Sequence, residues 1–240
     1  MLYRYLEKAT TFMRRKTLPP DETRSWISFV NPGMLDPGNV SLFDYCVRNL
    51  PSDAPVIEIG SFCGLSLNHL VYFLRKYGRR SPLFSIDAWE FEGFAKNARF
   101  LNDTNISASD YQQHVIDTFR RNVTLFSGDR LPHHIQKCSD EFFQYWASGT
   151  AMTDFFGRSV SLGGPISLAY IDGDHSYQQS LKDFENVDRY LEVGGYLIFD
   201  DSADWTEWGS HRTARNAAAR SNYEIVDRAP NYCLRKISHH

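Results

Sequence analysis

The chain contains few cysteines, and their spacing excludes the sites that clustered cysteines build. Four of its 240 residues are cysteine, and no pair has the Cys-x-x-Cys spacing of a zinc site or a redox motif. The four positions are also too scattered to indicate the disulfide framework of a small secreted domain. We therefore expect a protein of a reducing compartment and predict a cytoplasmic location.

The chain also lacks an excess of positive charge and any long apolar run. Its net charge is −3, whereas proteins that bind nucleic-acid backbones usually carry a clear basic excess. No apolar run approaches the roughly 18 residues that a membrane span requires, and residues 1–16 lack the apolar core of a secretory signal. We expect no nucleic-acid partner and no membrane partner, although a local basic patch would be compatible with this charge.

What the sequence does contain is enough apolar residues for one α/β domain. Hydrophobic residues make up 42% of the chain and charged residues 23%, as in ordinary globular proteins, and this length suffices for a substantial core. We predict an N-terminal helical arm or lid over residues 1–50, with a helix at 41–50, and a main domain over 51–240. The amphipathic N-terminus is a candidate contact for a homodimer or a larger homo-oligomer.

Apolar strands and amphipathic helices alternate along the main domain. The predicted strands are 56–59, 83–86, 123–126, 166–171 and 196–199, and helices are predicted at 65–77 and 176–191, the second ending at Gly194-Gly195. A polar, aromatic-rich segment at about 132–164 is predicted to be an insertion. Strands that alternate with helices form right-handed units around a parallel sheet. The sequence therefore predicts a doubly wound, mainly parallel α/β sheet.

Acidic residues stand at the ends of four predicted strands. Glu58 ends the first strand, Asp87 follows the second, Asp172 and Asp174 follow the fourth, and Asp200 follows the fifth. Ligands of doubly wound sheets bind in the crevice beyond the carboxyl ends of the strands. Because an unpaired buried charge is costly, each acid needs a partner there. A ligand site is predicted at this edge of the sheet.

A glycine-containing turn follows the first strand, with the pattern Glu58-x-Gly60-x-x-x-Gly64. The dinucleotide fingerprint has three glycines at closer spacing, so this pattern differs from it. Glycine permits a tight turn and a close approach of a ligand to the backbone, and the turn has no lysine or arginine to meet a phosphate. A cofactor with a positive sulfonium group would suit it, although other nucleotide-binding α/β proteins also have glycine-bearing turns.

The stretch Val-Ile-Glu-Ile-Gly-Ser-Phe-Cys-Gly-Leu-Ser at 56–66 resembles the first cofactor-binding motif of class I methyltransferases, above all the catechol-type and macrocin-type sugar O-methyltransferases. The resemblance implies a Rossmann-like class I methyltransferase fold and S-adenosylmethionine as the cofactor. It places Asp87 at the ribose and Asp129, after the predicted third strand, near the adenine. The expected cofactor-binding residues are Glu58, Gly60, Ser61, Phe62, Gly64, Ser66, Asp87, Asp129 and Asp172, with Gly60, Ser61 and Ser66 at the methionine end.

Two acidic segments, at 170–177 and 191–201, resemble the signature of the macrocin-type O-methyltransferases, and similar segments occur in relatives of cephalosporin hydroxylase. The resemblance implies that Asp172, Asp200 and Asp201 bind a divalent cation. Neighbouring parallel strands lie about 4.8 Å apart, so acids at their ends are able to meet at one ion. Oxygen ligands favour Mg²⁺. The alternative is a structural cluster of acids without a metal.

His175 and Asp174 are the two candidates for the base that would deprotonate a substrate hydroxyl. His175 lies three positions after Asp172, where the resemblance to catechol-type enzymes places a catalytic lysine, and an imidazole suits proton transfer at neutral pH. Asp174 is the competing base by resemblance to the sugar enzymes. Both residues would alternatively serve only to cap the helix that begins near Ser176. We prefer His175 as the base.

These observations predict a Mg²⁺-dependent O-methyltransferase that acts on a small hydroxylated molecule, such as a sugar or another natural-product moiety. The cation would hold and acidify the substrate hydroxyl. One alternative is a hydroxylase-like enzyme with redox-active iron on the same acids, and another is a cofactor-binding protein without catalysis. Trp205 and Trp208 follow the acidic pair closely enough to contact a substrate. Substrate identity does not follow, because residues 1–50, 132–164 and the C-terminal residues match no motif.

Overall fold

The computed structural model describes residues 18–90 and 105–239. Within them the helices are α1 (Glu22–Val30), α2 (Pro37–Arg48), α3 (Leu65–Lys76), α4 (Ala108–Ser127), α5 (Ser139–Ser148), α6 (Tyr177–Asp188) and α7 (Gly209–Ala218). The strands are β1 (Val56–Ile59), β2 (Leu83–Ile86), β3 (His133–Ile135), β4 (Ala151–Thr153), β5 (Ser159–Ser161), β6 (Ile166–Ile171), β7 (Leu191–Phe199), β8 (Tyr223–Arg228) and β9 (Tyr232–Lys236). Part of the predicted N-terminal arm, residues 1–17, lies outside the described residues.

Seven of the strands form one sheet in the order β3-β2-β1-β6-β7-β9-β8. The first five run parallel, and β9 pairs antiparallel with both of its neighbours. The strand order reverses direction between β1 and β6, which is where ligands of doubly wound sheets bind. The predicted doubly wound, mainly parallel sheet is confirmed. No helix in the described part of the chain is long and apolar enough to cross a bilayer.

The central strands are buried on both faces, which is why they consist of apolar residues with little alternation. All four residues of β1 and all six of β6 are buried. In β1, Val56 belongs to the core on the side of α2, α3 and α4, whereas Ile57 belongs to the core on the side of α5 and α6. Two helical layers therefore cover the sheet and leave its carboxyl-terminal edge open.

The prediction of a strand at 123–126 is wrong, because these residues form the last turns of α4. Val115, Phe119 and Val123, spaced four residues apart, are fully buried, whereas Leu125 is 70% exposed. A four-residue run such as Val-Thr-Leu-Phe does not distinguish a strand from a helix by itself. Here the helical spacing of the preceding apolar residues decides for a helix. Ser107 begins the helix with a complete capping box that includes Asp110.

The third parallel strand is β3, inside the segment that was predicted to be an insertion. Its sequence, His-His-Ile, gives no apolar strand signal. His134 is fully buried, stacks on Trp89 with a centroid distance of 4.4 Å, and pairs through Nδ1 with the Ser85 hydroxyl at 2.9 Å. Burial lowers the pKa of His134 to about 3. The ring is therefore neutral and packs as an aromatic core residue.

Several boundaries differ from the predicted ones, and the helix predicted at 176–191 is α6, which ends at Asp188. The helix predicted at 41–50 is α2, which begins earlier because the Asp36 side chain accepts the Gly38 N–H at 2.7 Å and Pro37 suits the first turn. The pair Gly194-Gly195, predicted to follow a helix end, lies inside β7, where Gly194 adopts a φ of +90°. The strand is therefore longer than the apolar run that predicted it.

Candidate active site

The carboxyl ends of the parallel strands surround two adjoining cavities of about 1150 and 1070 Å³. The first, here called the β2–β3 cavity, is lined by the residues after β2 and β3, including Trp89, Cys138 and Ser139. The second, the β6–β7 cavity, is lined by the residues after β6 and β7 together with Met34 and Trp208. The residues that line both are Gly60, Asp87, Glu90, Gly173 and Asp174.

The turn after β1 separates the two cavities and is pressed against the end of β6. Gly60 has a φ of +85°, and a Cβ at this position would lie 1.9 Å from the Asp172 carbonyl oxygen. No other residue fits such a contact. Phe62, two residues later, has a φ of 42°, which is uncommon for a residue with a side chain. The turn is therefore a fixed feature of the site.

Asp87 holds this turn to the end of β2. Its Oδ2 accepts the N–H groups of Ser61 and Phe62 at 2.9 and 3.0 Å, and its Oδ1 accepts the Trp89 N–H at 2.7 Å. Burial raises the pKa of Asp87, although these three donors oppose the rise. Since a carboxylate has about four acceptor positions, Oδ1 keeps one for a ligand.

Glu58 is a fully buried carboxyl group beneath the turn. Neither of its oxygens has a hydrogen-bond partner within the described residues. Burial raises its pKa to about 8, and the nearby hydroxyls of Ser66 and Ser61 oppose this rise without reaching hydrogen-bonding geometry. A buried acceptor without a donor is costly. Glu58 lines neither cavity, so only a ligand group that enters beneath the turn would supply this donor.

The acids after β6 and β7 form a cluster around one histidine. Oxygens of Asp172 and Asp200 and a ring nitrogen of His175 all lie within 4.8 Å of one another. His175 Nε2 is 3.4 Å from Asp172 Oδ1, and its Nδ1 is 3.0 Å from Asp201 Oδ2. The predicted residues Asp172, His175, Asp200 and Asp201 are thus brought together, and Asp201 contacts the histidine instead of joining the group of three.

Burial, more than repulsion between the acids, controls their protonation. Burial and the facing Asp172 carboxylate raise the pKa of Asp200 to about 9, and burial raises the pKa of Asp172. Burial lowers the pKa of His175, but hydrogen bonds with Asp172 and Asp201 outweigh it and raise this pKa to about 10. Without a ligand the cluster therefore holds extra protons, which a cation would displace.

Asp174 takes part in the start of α6, as the alternative to catalysis predicts. Its Oδ1 accepts the Ser176 N–H at 2.7 Å, while the Ser176 hydroxyl caps the helix through the Gln179 N–H. Asp174 nevertheless lines both cavities. Trp208 packs edge-on against His175 with a centroid distance of 5.4 Å and is 55% exposed at the mouth of the β6–β7 cavity. Trp205 does not line either cavity.

Asp129 lies far from the position that the sequence predicted. Because 123–126 is helical, Asp129 does not follow a strand but precedes β3, at the amino-terminal edge of the sheet. Its side chain is 94% exposed and pairs with Arg75 at 2.5 Å. It lines neither cavity, and the premise that placed it near a ligand is wrong.

Several residues of the site gave no signal in the sequence. After β3, Ser139 lines the β2–β3 cavity and donates its hydroxyl to the buried Asp183 at 2.5 Å. Asn39 of α2 and Asn231, just before β9, are buried and both donate to Asp200. Ser139 became identifiable only once β3 was located. The two asparagines lie 192 positions apart and belong to no motif.

Residues 57–202 match a family model whose description is a methyltransferase domain. A stretch of 45 residues is also 42% identical to uncharacterized protein R132 of Acanthamoeba polyphaga mimivirus, and it covers 19% of this chain. That stretch covers 20% of the viral protein. The chain therefore spans about a fifth of the length of this curated relative.

Solved methyltransferase structures share the fold. An O-methyltransferase from Bacillus cereus, solved with SAH, has a TM-score of 0.54 at 14% identity, over 95% of this chain and 96% of that one. The O-methyltransferase TomG from Streptomyces achromogenes, solved with SAM, has a TM-score of 0.56 at 13% identity, over 95% of each chain. The SAH-bound methyltransferase PaMTH1 from Podospora anserina has a TM-score of 0.58 at 11% identity, over 98% of this chain and 96% of that one.

Proposed function

The chain belongs to this methyltransferase family, and on that premise we propose that it transfers the methyl group of S-adenosylmethionine to a hydroxyl oxygen of a small molecule. Its family makes it an S-adenosylmethionine-dependent methyltransferase of the class I fold, as the sequence resemblance implied. The observation that carries the choice of oxygen is the facing pair Asp172 and Asp200 beside the β6–β7 cavity. Such a pair suits a divalent cation that holds a hydroxyl group.

We place the cofactor across the turn after β1, with its adenosine in the β2–β3 cavity. Asp87 Oδ1 would accept a ribose hydroxyl, and the adenine would lie against Cys138 and Ser139, where the chain passes from β3 into α5. The methionine end would lie by Ser61 and Ser66, above Glu58. A buried carboxyl group without a donor suits the positive α-amino group of methionine.

The donor set fits a divalent cation. Asp172 and Asp200 would hold it, and Mg²⁺ is commonly bound by one or two carboxylates with water and substrate oxygens in the remaining positions. Such an ion would orient the substrate hydroxyl and lower its pKa. Asp201, bonded to His175 Nδ1, would act on the histidine and not as the third ligand that the sequence resemblance implied.

His175 is the base that the geometry favours. Asp201 holds Nδ1 at 3.0 Å, which leaves Nε2 on the side of Asp172. A carboxylate on one ring nitrogen fixes the tautomer in which the other nitrogen accepts a proton. Asp174 has one oxygen occupied by the Ser176 N–H. Once a bound cation has displaced the extra proton from this cluster, a neutral His175 would receive the proton of the substrate hydroxyl, while both cavities hold the reactants in line.

The first test is calorimetric titration of the protein with S-adenosylmethionine, in Mg²⁺ and then in EDTA. We expect micromolar binding under both conditions, because the ion is assigned to the substrate and not to the cofactor. A labelled methyl donor then identifies acceptors among catechols and sugars with adjacent hydroxyls. Binding without any Mg²⁺-dependent transfer would contradict the assigned chemistry. If His175→Ala transferred methyl groups at the full rate and Asp174→Ala transferred none, the base would be Asp174 and not His175.

An alternative function on the same fold is an iron-dependent, hydroxylase-like reaction. The group Asp172, His175 and Asp200 combines two carboxylates with one imidazole, a mixed set that also suits Fe²⁺. A hydroxylase-like reaction would require redox-active iron. Methyl transfer by protein that has been stripped of iron and supplied with Mg²⁺ would exclude it, whereas oxygen consumption that depends on iron would support it.

A further inference from the structure

Asp200 is held by two buried asparagines that come from distant parts of the chain. Asn39 lies in the first turn of α2 and is fully buried, and Asn231 lies before β9 and is 3% exposed. The side-chain amides of both residues donate to the same oxygen, Asp200 Oδ1, and the bond from Asn231 is 2.8 Å long. Neither donates to Asp200 Oδ2.

The orientation of both amides is fixed by their other partners. Asn231 Nδ2 also donates to Asn39 Oδ1 at 3.0 Å, and Asn231 Oδ1 accepts the Ser202 N–H at 2.9 Å. Asn39 Nδ2 also donates to the Tyr170 hydroxyl at 3.3 Å. Turning either amide over would place an oxygen against the Asp200 carboxylate. Each amide therefore presents N–H groups, and only N–H groups, to Asp200.

The backbone segments that carry the two asparagines are packed closely against each other. A Cβ on Gly38 would lie 1.5 Å from the Ala229 carbonyl oxygen, so the first turn of α2 touches the backbone that leads to Asn231. The Ser202 hydroxyl accepts the Tyr232 N–H at 2.8 Å and thus fixes the residue after Asn231. The positions of the donors are therefore set by the fold.

We propose that Asn39 and Asn231 are positioning residues that occupy Asp200 Oδ1 and so reserve Oδ2 for the divalent cation. This inference rests on the proposed function. Two donors on one oxygen orient the carboxylate plane and supply part of the hydration that burial removes. Residues that orient metal-binding side chains typically change metal affinity by about 10- to 100-fold when they are removed. We call this pair the Asn39–Asn231 clamp.

The clamp is tested by the affinity for Mn²⁺ alone, measured as free Mn²⁺ by electron paramagnetic resonance with the full chain. Asn39→Leu and Asn231→Leu should each weaken Mn²⁺ binding by about 10- to 100-fold. Binding of SAH, measured by calorimetry, should change by less than about twofold, because the clamp does not touch the turn after β1. Asn39→Ser and Asn231→Ser, which fill less space and lack the amide donor, serve if the leucine variants do not fold.

The chain offers a matched control in a second buried asparagine pair. Asn68 Nδ2 donates to Asn31 Oδ1 at 2.8 Å and contacts no acid of the site. Asn68→Leu should lower Tm as the clamp variants do and leave Mn²⁺ affinity unchanged. If wild-type protein bound no Mn²⁺, the proposed cation site would be refuted, and the Asn39–Asn231 clamp would be refuted with it. Wild-type binding that is lost in Asp200→Asn but unchanged in both clamp variants would overturn the clamp alone.

Discussion

The two sides of the site hold their acids in different ways. At the ends of β1 and β2, Asp87 accepts three backbone N–H groups, and the turn that supplies two of them is fixed by Gly60. At the ends of β6 and β7, Asp200 is held by asparagine side chains and faces a second acid. The first side is built by the backbone and the second by side chains.

Because the two sides are built differently, they suit different ligands. Backbone donors are the same whatever residues surround them, so the β1–β2 side suits a cofactor that a whole family shares. A cluster of side chains is altered by single substitutions, so the β6–β7 side suits the part of the reaction that differs among enzymes. The contact of Gly60 with the Asp172 carbonyl joins the two sides, and substitutions there should affect both.

The largest effect is expected from Gly60→Ala, because this substitution disrupts the contact that joins the two sides of the site. The new Cβ would lie 1.9 Å from the Asp172 oxygen at a φ of +85°, so we expect SAH binding to fall by more than about 100-fold, which is about 2.7 kcal/mol. Gly157→Ala is the control, because Gly157 has a φ of +81° and no atom within 4 Å of its Cβ. Equal SAH affinities in the two variants, measured by calorimetry, would refute the contact.

Asp200→Asn should disable the acid side and spare the cofactor side. Losing a ligand charge should abolish Mn²⁺ binding and slow methyl transfer by about 10²- to 10³-fold, the usual cost of removing one element that stabilises developing charge. SAH affinity should stay within about twofold of wild type, because Asp200 does not contact the turn. Asp204→Asn, four positions later and outside both cavities, is the matched control. Transfer at the wild-type rate by Asp200→Asn would show that no cation acts there.

Glu58→Gln tests the cofactor side without changing its shape. We expect SAH affinity to fall by about tenfold, or 1.4 kcal/mol, since the variant would lose the charge-assisted hydrogen bond that we propose between Glu58 and the α-amino group. Adenosine lacks this group, so its affinity should be the same in both proteins. A loss of affinity for adenosine as large as that for SAH would show that Glu58 supports the turn and does not contact methionine.

The same variant should change how stability depends on pH. The pKa of Glu58 in the folded protein, about 8, lies above its ordinary value of 4.5, so between these values the folded protein holds a proton that the unfolded chain has lost. The stability from this group is complete below the unfolded pKa and is lost as pH rises through about 8. The Tm of ligand-free wild-type protein should therefore fall more between pH 5 and 8 than that of Glu58→Gln. Parallel curves would contradict the raised pKa.

The smallest effect is expected from Asp129→Asn. Asp129 is 94% exposed and lies at the opposite edge of the sheet from both cavities, and exposed ion pairs contribute little. SAH affinity should change by less than about twofold in calorimetry. A tenfold loss would place Asp129 at the cofactor after all. Ser139→Ala, at the start of α5, should weaken SAH binding more than Asp129→Asn does.

The sequence predicted those parts of the fold whose signal is local. Strands β1, β2 and β6 are buried on both faces, and their apolar runs identify them. Strand β3 is not apolar, because its buried histidine is kept neutral by its surroundings and packs against aromatic rings. The end of α4 looks like a strand when residues 123–126, three of them apolar, are considered alone. Only pairing across the sheet resolves these two cases.

The residues of the site also divide into those that a local sequence signal predicts and those that only the fold brings together. Asp172, His175, Asp200 and Asp201 were predictable because a strand end and a short motif carry them, and the structure brings them together. That Asp201 contacts the histidine was not predictable, because the direction of a side chain depends on packing. Asn39 and Asn231 were not predictable either. Their residue type is common on surfaces, and only the folded chain brings these two positions to one carboxylate.

The place of β9 in the sheet has a consequence for synthesis on the ribosome. Strand β9 follows β8 in the chain but inserts between β7 and β8, so β8 has no strand to pair with until β9 has emerged. Until then β7, with its buried run that includes Leu197, Ile198 and Phe199, is an open edge. Open apolar edges invite aggregation. Released chains that are truncated before residue 232 should therefore aggregate more readily than chains that contain residues 232–236.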